Sequence, residues 1–191
     1  MQELRTAGLD EVGKGSLFGP VFAGAVILEK QNEIYLINSG VKDSKKLSPE
    51  KRMSLLPIIK EYALNWSIGQ ASAREIDLLG IRLATEKAMI RAVHKLIPQP
   101  EILLIDGCLP LRSWEGPQKT LVKGEDKSVA IAAASILAKV TRDELIKQLA
   151  QAYPSYGLEK NVGYGTLLHR KALIKLGATK LHRKSFLSKI K

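Results

Sequence analysis

The sequence predicts an α/β fold in which a mixed β-sheet is flanked by helices and followed by a small C-terminal helical appendage. Near the N-terminus, two short apolar segments, Thr6–Asp10 and Val21–Leu28, are separated by a glycine-rich turn, a pattern typical of a buried hairpin. Further along, strand-like segments alternate with helical patterns. This alternation favours helices packed in layers against a sheet.

The remaining elements follow from local signals. Ser48 precedes Pro49 and Glu50, a favourable helix start, and the helical pattern continues to about Tyr62. The ten-residue segment VAIAAASILA is apolar nearly all round, which indicates a helix buried in the core. The other predicted elements are strands at Leu64–Ile68, Glu101–Ile105 and Thr120–Val122, and helices at Ser72–Ile97 (broken near Gly80), Ser128–Leu149 and Thr166–Leu176.

The elements divide the chain into a main body and a C-terminal segment. Residues 1–153 hold all the predicted strands, and residues 154–191 form a helical and basic segment that ends in the basic tail Lys180–Lys191. We expect the two parts to form one continuous domain, because no low-complexity linker separates them.

Composition limits the functional classes. The chain has 191 residues, a 45% hydrophobic fraction and a formal net charge of +11, so it can form a core and favours an anionic partner. Nucleic acid is the leading candidate, and an anionic membrane surface is the alternative. A single cysteine, Cys108, excludes an internal disulfide and a thiolate zinc cage. With no signal peptide and no apolar run of membrane-spanning length, we expect a cytoplasmic monomer with no assignable protein partner.

Acidic residues recur at the ends of predicted core elements. Asp10 and Glu11 follow the first strand, Asp106 follows the strand EILLI, and Glu125 and Asp126 precede the buried helix. Strand ends converge at one edge of a sheet, where converging carboxylates repel each other unless a cation binds them. Oxygen ligands suit Mg2+ or Mn2+. Two such ions, roughly 4 Å apart, would support phosphodiester hydrolysis.

Each acidic position also has an ordinary structural interpretation. Asp10 and Glu11 could be solvated charges at a turn entry, and Asp106 followed by glycine is a common turn signal. Glu125 and Asp126 could simply complement the N-terminus of the following helix. The functional interpretation depends on the joint occurrence of these residues in a basic protein.

Several longer motifs resemble ribonuclease HII, the type 2 ribonucleases H, in the family's order and over nearly the whole chain. They are GLDEVGKGSLFGPV at 8–21, DSKKLS at 43–48, LLIDG at 103–107, KGEDKS at 123–128, AAASILAKVTRD at 132–143, YGLEKNVGYGT at 156–166 and HRKSF at 182–186. The resemblance implies a ribonuclease H-like fold. It also implies two-metal cleavage of RNA in RNA–DNA hybrids and at ribonucleotides embedded in duplex DNA, giving 5′-phosphate and 3′-OH ends.

The resemblance implies that the catalytic and metal-binding carboxylates are Asp10, Glu11, Asp106 and Glu125. The last of these departs from the family, which usually has aspartate in KGD where this chain reads KGED. Glutamate there resembles the sister family ribonuclease HIII. Whether Glu125 or Asp126 is the fourth ligand stays open at this point.

The resemblance also implies substrate contacts. Gly13, Lys14 and Gly15 match a loop that contacts ribose 2′-OH groups through its backbone, and Tyr164 matches a tyrosine that stacks on the sugar at an RNA–DNA junction. Their alternatives are a tight turn and a core tyrosine. The candidate phosphate contacts, each of which could instead be a solvated charge, are Ser44, Lys45, Lys46, Lys160, His182, Arg183 and Lys184. A non-enzymatic nucleic-acid binding module and a DNA-cutting nuclease are the competing functions.

Overall fold

A computed structural model describes residues 4–42 and 44–188. Asp43 of the DSKKLS motif and the last three residues of the predicted basic tail lie outside the described residues. Five strands form one sheet in the order β3-β2-β1-β4-β5, and they are β1 (Thr6–Val12), β2 (Val21–Leu28), β3 (Ala63–Ala71), β4 (Ile102–Asp106) and β5 (Gln118–Leu121). The first three strands pair antiparallel, whereas β4 pairs parallel with both β1 and β5. The predicted mixed sheet and opening hairpin are therefore confirmed.

The helices agree with the sequence pattern at most positions. They are α1 (Lys30–Ser39), α2 (Pro49–Tyr62), α3 (Ala73–Val93), α4 (Val129–Ala152), α5 (Leu158–Asn161), α6 (Leu167–Leu176) and α7 (Lys184–Leu187). Ser48 caps α2, a capping box at Ser72 starts α3, and Gly80 breaks α3 with φ 77°. The sequence analysis did not predict α1, which has only one buried residue, Leu36, and so lacks a clear apolar stripe.

The helices cover both faces of the sheet, and strand alternation decides which residues meet which helix. Ala23, Ala25 and Ile27 of β2 join a core cluster with α3, whereas Val26 joins a cluster with α2 and α4. The backbone of α4 lies very close to the sheet, because a Cβ added at Gly24 would sit 2.3 Å from a carbonyl oxygen of α4. This close approach brings polar side chains of α4 to the central strand.

The C-terminal segment packs onto the main body through a third apolar cluster. Its members come from the loop after β1, from α4 and from the C-terminal segment, and they include Phe18, Ile146, Tyr156 and Leu173. The segment predicted as a basic tail is partly internal here, since residues 182 and 183 are almost completely buried. No helix among the described residues is both long enough and apolar enough to cross a membrane.

Candidate active site

The central strand places the first acidic residue against α4. In the parallel pair of β1 and β4, Leu9 is opposite Ile105, so the next residues, Asp10 and Asp106, lie side by side. Asp106 ends β4, whereas β1 continues past the predicted end at Asp10 to Val12. Leu9 belongs to the core cluster on the α3 face, so Asp10 points to the opposite face, where α4 packs. Asp10 is 3% exposed.

The electrostatics of Asp10 show that the predicted carboxylates influence one another. Burial raises the pKa of Asp10 well above its usual value, and the charges of Glu11, Glu125 and Asp106 raise it further. The nearby hydroxyl of Ser135 opposes these effects and lowers the pKa. The charges of all four predicted carboxylates thus act on Asp10 or arise from it, and a cation would relieve the repulsion that raises this pKa.

Glu125 reaches the cluster from a short 3-10 turn, Gly124–Asp126, that precedes α4. The hydroxyl of Ser135 donates a hydrogen bond to Glu125 Oε1, and Ser44 Oγ lies 3.4 Å from the same oxygen and 2.8 Å from Ser135 Oγ. Lys45 Nζ is 3.7 Å from Glu125 Oε2. Asp126 instead faces solvent, so the position of Glu125 favours it as the fourth carboxylate.

Two other carboxylates are held by groups of the protein. The Gly124 amide donates to Asp106 Oδ1 at 2.7 Å, and Lys14 Nζ lies 2.7 Å from Glu11 Oε1. Within residues 4–42 and 44–188, no group of three or more His, Cys, Asp or Glu side chains is arranged to hold a metal ion. The oxygen donors and the raised pKa of Asp10 fit a divalent cation, which would take the place of the Lys14 ammonium beside Glu11.

The two glycines of the GKG loop differ in environment. Gly13 and Ser16 close a turn, in which the Ser16 amide donates to the Gly13 carbonyl at 3.2 Å. Gly13 has φ 88°, and a Cβ there would lie 2.2 Å from Arg142 Nε. Gly15 has no such positive φ, and nothing lies within 4 Å of an added Cβ. The fold therefore requires glycine at position 13 but not at position 15.

Two buried arginines lie beneath this loop. Arg142 donates to the carbonyls of Pro20, Phe18 and Val162 and to the hydroxyl of Ser16. Arg183 donates to the carbonyls of Gly19 and Lys14, both at 2.9 Å. Both side chains are 0% exposed.

Burial contradicts part of the predicted phosphate-binding set. Arg183 and His182 are enclosed by protein groups, so the prediction that they contact phosphate is wrong. Ser44 is also buried, and its hydroxyl lies against Glu125 and Ser135, so it is not available for the predicted phosphate contact. The four candidates that face solvent are Lys45, Lys46, Lys160 and Lys184. Lys46 also pairs with Asp126 at 2.6 Å.

Tyr164 lies beside the GKG loop. It forms an isolated β-bridge with Ser16, and its half-buried ring lies 5.6 Å from Arg142 Cζ and 5.7 Å from Lys139 Nζ. A tyrosine distant in sequence is thus adjacent to the loop predicted to contact ribose.

Two buried histidines support the backbone of Tyr164 through a one-directional relay. The Thr179 amide donates to His182 Nδ1 at 3.0 Å, so the proton of His182 is on Nε2 and is donated to His169 Nε2, also at 3.0 Å. His169 Nδ1 then donates to the Tyr164 carbonyl at 2.9 Å. Both imidazoles must be neutral, because a further proton on either ring would remove an acceptor in the relay.

This relay predicts a pH dependence of stability. Burial lowers the pKa of His169, and burial together with the His169 charge lowers the pKa of His182 to about 4, against an unfolded value of about 6.5. Between about pH 6.5 and about pH 4, the unfolded chain binds protons that the folded chain does not bind. The free energy of unfolding therefore falls as pH falls from about 6.5 to about 4. We expect a loss on the order of 1–3 kcal/mol from His182, and His169 adds to it in the same direction.

Urea unfolding of the wild type and of His182→Asn, measured at pH 7 and at pH 5, checks this expectation. The variant is needed because the raised pKa of Asp10 makes the free energy of unfolding rise as pH falls, and this opposite effect is present in both proteins. Acidification should destabilise the wild type more than the variant. An equal decrease in the free energy of unfolding of the two proteins between pH 7 and pH 5 would contradict the neutral relay.

The sequence analysis missed two residues of the site. Ser135 donates to Glu125 and lowers the pKa of Asp10, and Arg142 binds the loop backbone. A signal for the first was present, since Ser135 is the single polar residue in the apolar segment VAIAAASILA. Arg142 lies seven residues further on, two helical turns away and so near the same face of α4.

The fold and the acidic strand ends define a ribonuclease H-like enzyme. The sequence model of the family described as Ribonuclease HII matches residues 7–189. A ribonuclease HII from Prochlorococcus marinus is 68% identical over 190 residues, which cover 100% of both chains. The chain belongs to the ribonuclease HII family and is a ribonuclease H, an activity that implies cleavage of RNA paired with DNA.

Solved structures agree with this assignment. The ribonuclease H2 of Pyrococcus horikoshii superposes with a TM-score of 0.81 at 26% identity, covering 95% of this chain and 93% of that one. Bst-RNase HIII in complex with Mn2+ superposes with a TM-score of 0.70 at 26% identity, covering 91% of this chain and 63% of that one. The predicted ribonuclease H-like fold is confirmed.

Proposed function

We propose that this protein is an endoribonuclease that hydrolyses the RNA strand of RNA–DNA hybrids and also cuts at single ribonucleotides embedded in duplex DNA. The observation that carries the proposal is the position of the GKG turn, which begins two residues after Glu11 and is bridged to Tyr164. A carboxylate cluster for phosphodiester hydrolysis and two elements suited to a ribose therefore lie next to each other.

Asp10, Glu11, Asp106 and Glu125 would hold the divalent cations, and Mg2+ or Mn2+ suits their oxygen donors. The Mn2+ complex of the related Bst-RNase HIII supports this choice of ion class. When bound, two such ions supply an activated water and stabilise the leaving oxygen, with 5′-phosphate and 3′-OH ends as the products. Ser135 keeps Glu125 oriented next to Asp10.

The substrate would be bound by the turn, the tyrosine and exposed lysines. Backbone groups of Gly13, Lys14 and Gly15 approach the ribose, whose 2′-OH distinguishes RNA from DNA. The ring of Tyr164 stacks on the sugar at the junction. Lys45, Lys46, Lys160 and Lys184, all exposed, contact phosphates, which accords with the net charge of +11.

A cleavage assay with three duplexes of one sequence tests the proposal. One carries a single ribonucleotide in DNA, one is an RNA–DNA hybrid and one is all DNA, and each is incubated with Mg2+ or Mn2+. We expect cleavage of the first two, with 3′-OH ends, and none of the third. Failure to cut at the single ribonucleotide with either ion would contradict the proposal, and cutting of the all-DNA duplex would favour a DNA nuclease.

A further inference from the structure

The Arg183 guanidinium is an unusual way to hold a loop. It is fully buried, and among the described residues it forms no salt bridge and leaves Nη2 without a hydrogen-bond partner. Burial and the nearby charge of Arg142 lower the pKa of Arg183 to about 9. A buried cation that lacks one hydrogen-bond partner lowers the stability of the folded protein. The contact between Arg183 and the loop therefore needs an explanation other than stability.

The turn that Arg183 contacts can adopt two backbone conformations. In the turn closed by Gly13 and Ser16, Lys14 and Gly15 are the central residues. Type I and type II turns differ by a flip of the central peptide, and glycine at the third position allows both. Gly15 lacks the positive φ of a type II turn, so the Lys14–Gly15 peptide has one defined orientation. The bond from Arg183 Nη1 to the Lys14 carbonyl holds that orientation.

The orientation of this peptide determines where the Gly15 amide points. The Lys14–Gly15 peptide is trans and planar, so its C=O and N–H point in opposite directions. Because the Lys14 carbonyl faces the buried Arg183, the Gly15 N–H faces outward. Gly15 is exposed, and its amide has no acceptor within residues 4–42 and 44–188.

We propose that Arg183 is a positioning residue that fixes the Gly15 N–H toward the nucleic acid and thereby strengthens the preference for ribose over deoxyribose. The inference rests on the proposed function, in which this turn meets the ribose. The amide donates a hydrogen bond to the 2′ oxygen, an acceptor that deoxyribose lacks. Without Arg183, the peptide is free to flip, so the Gly15 N–H is no longer held toward the 2′ oxygen and its hydrogen bond is lost in part of the population.

Binding measured without cleavage tests this role. In the Asp10→Asn background, dissociation constants are measured for the duplex with one ribonucleotide and for the matching all-DNA duplex. The preference for ribose is the Kd for the all-DNA duplex divided by the Kd for the ribonucleotide duplex. Arg183→Lys should reduce this ratio by about 3- to 10-fold, the effect of one hydrogen bond. Leu36→Ala, which removes a buried side chain from the separate cluster with α2 and α4, is the control for lost stability and should leave the ratio unchanged.

An unchanged ratio in Arg183→Lys, together with a lowered melting temperature, would show that Arg183 is merely structural and would overturn the inference. If that variant does not fold, the Gly15 amide is observed by NMR in the Asp10→Asn protein. Its resonance should move with the ribonucleotide duplex and stay nearly fixed with the all-DNA duplex, and equal shifts would overturn the inference. Failure of the proposed function itself is distinguishable, since the wild type would then leave the single ribonucleotide uncut.

Discussion

Replacing Asp10 by Asn should lower the cleavage rate by at least about 100-fold while increasing the stability of the metal-free protein. The expected loss of cleavage rate is larger than the roughly 10- to 100-fold effect of removing a residue that hydrogen-bonds to a metal ligand, because Asp10 would itself be a ligand. The gain arises because burial and three nearby carboxylates disfavour the charged form of Asp10, whose raised pKa reflects that cost. We therefore expect the neutral amide to raise the free energy of unfolding at pH 7.

Asp126→Asn is the matched control, because it makes the same chemical change in an exposed carboxylate that pairs with Lys46. Its cleavage rate should stay within about threefold of the wild type, and its stability should change by less than about 0.5 kcal/mol. Cleavage is measured under single-turnover conditions, and stability is measured by urea unfolding in chelator. An Asp10→Asn protein that cuts at the wild-type rate would exclude this residue from the catalytic site.

The two glycines of the GKG loop should respond in opposite ways to alanine. Gly15→Ala should leave the free energy of unfolding unchanged or raise it by about 0.4–1 kcal/mol, because alanine fits the backbone and restricts the unfolded chain. Cleavage at a single ribonucleotide should nevertheless fall by about 10-fold or more, because the new methyl group occupies the space into which a ribose must come.

Gly13→Ala should instead destabilise the protein by roughly 1–3 kcal/mol, because φ is 88° and the new Cβ would meet the Arg142 side chain. Thermal unfolding and ribonucleotide cleavage, measured on both variants, separate the two roles. Full activity in Gly15→Ala would show that substrate does not approach this residue closely.

The sequence was most informative where a pattern is local. The apolar segments that became β1 and β2 were recognisable, and Asp10 and Asp106 could be placed near each other on neighbouring strands, although β1 continues two residues past Asp10. The choice between Glu125 and Asp126 could not be made this way. It depends on which of two adjacent side chains meets Ser135, a contact across ten residues that a one-dimensional pattern does not encode.

The errors have a common physical origin. His182 and Arg183 lie in the basic motif HRKSF, and the sequence analysis assigned them to the surface because charged and polar side chains are usually exposed. Arg183 bonds carbonyls of the loop after β1, more than 160 residues away, and the His182 ring packs against Phe18 of the same loop. The same long-range packing places Tyr164 beside Ser16. Charge alone did not distinguish a lysine that faces solvent from an arginine that holds a loop.

The ties between the loop after β1 and the C-terminal segment have a consequence for biosynthesis. Gly19 donates its amide to Leu181, Arg183 donates its own amide to Leu17, and the Arg183 side chain reaches Lys14. Protein synthesis proceeds from the N-terminus, so a nascent chain contains Asp10, Glu11 and the GKG turn long before residues 181–183 are added. The turn can therefore reach its final conformation only after residues 181–183 have been synthesised, which couples full assembly of the site to synthesis of the C-terminal segment.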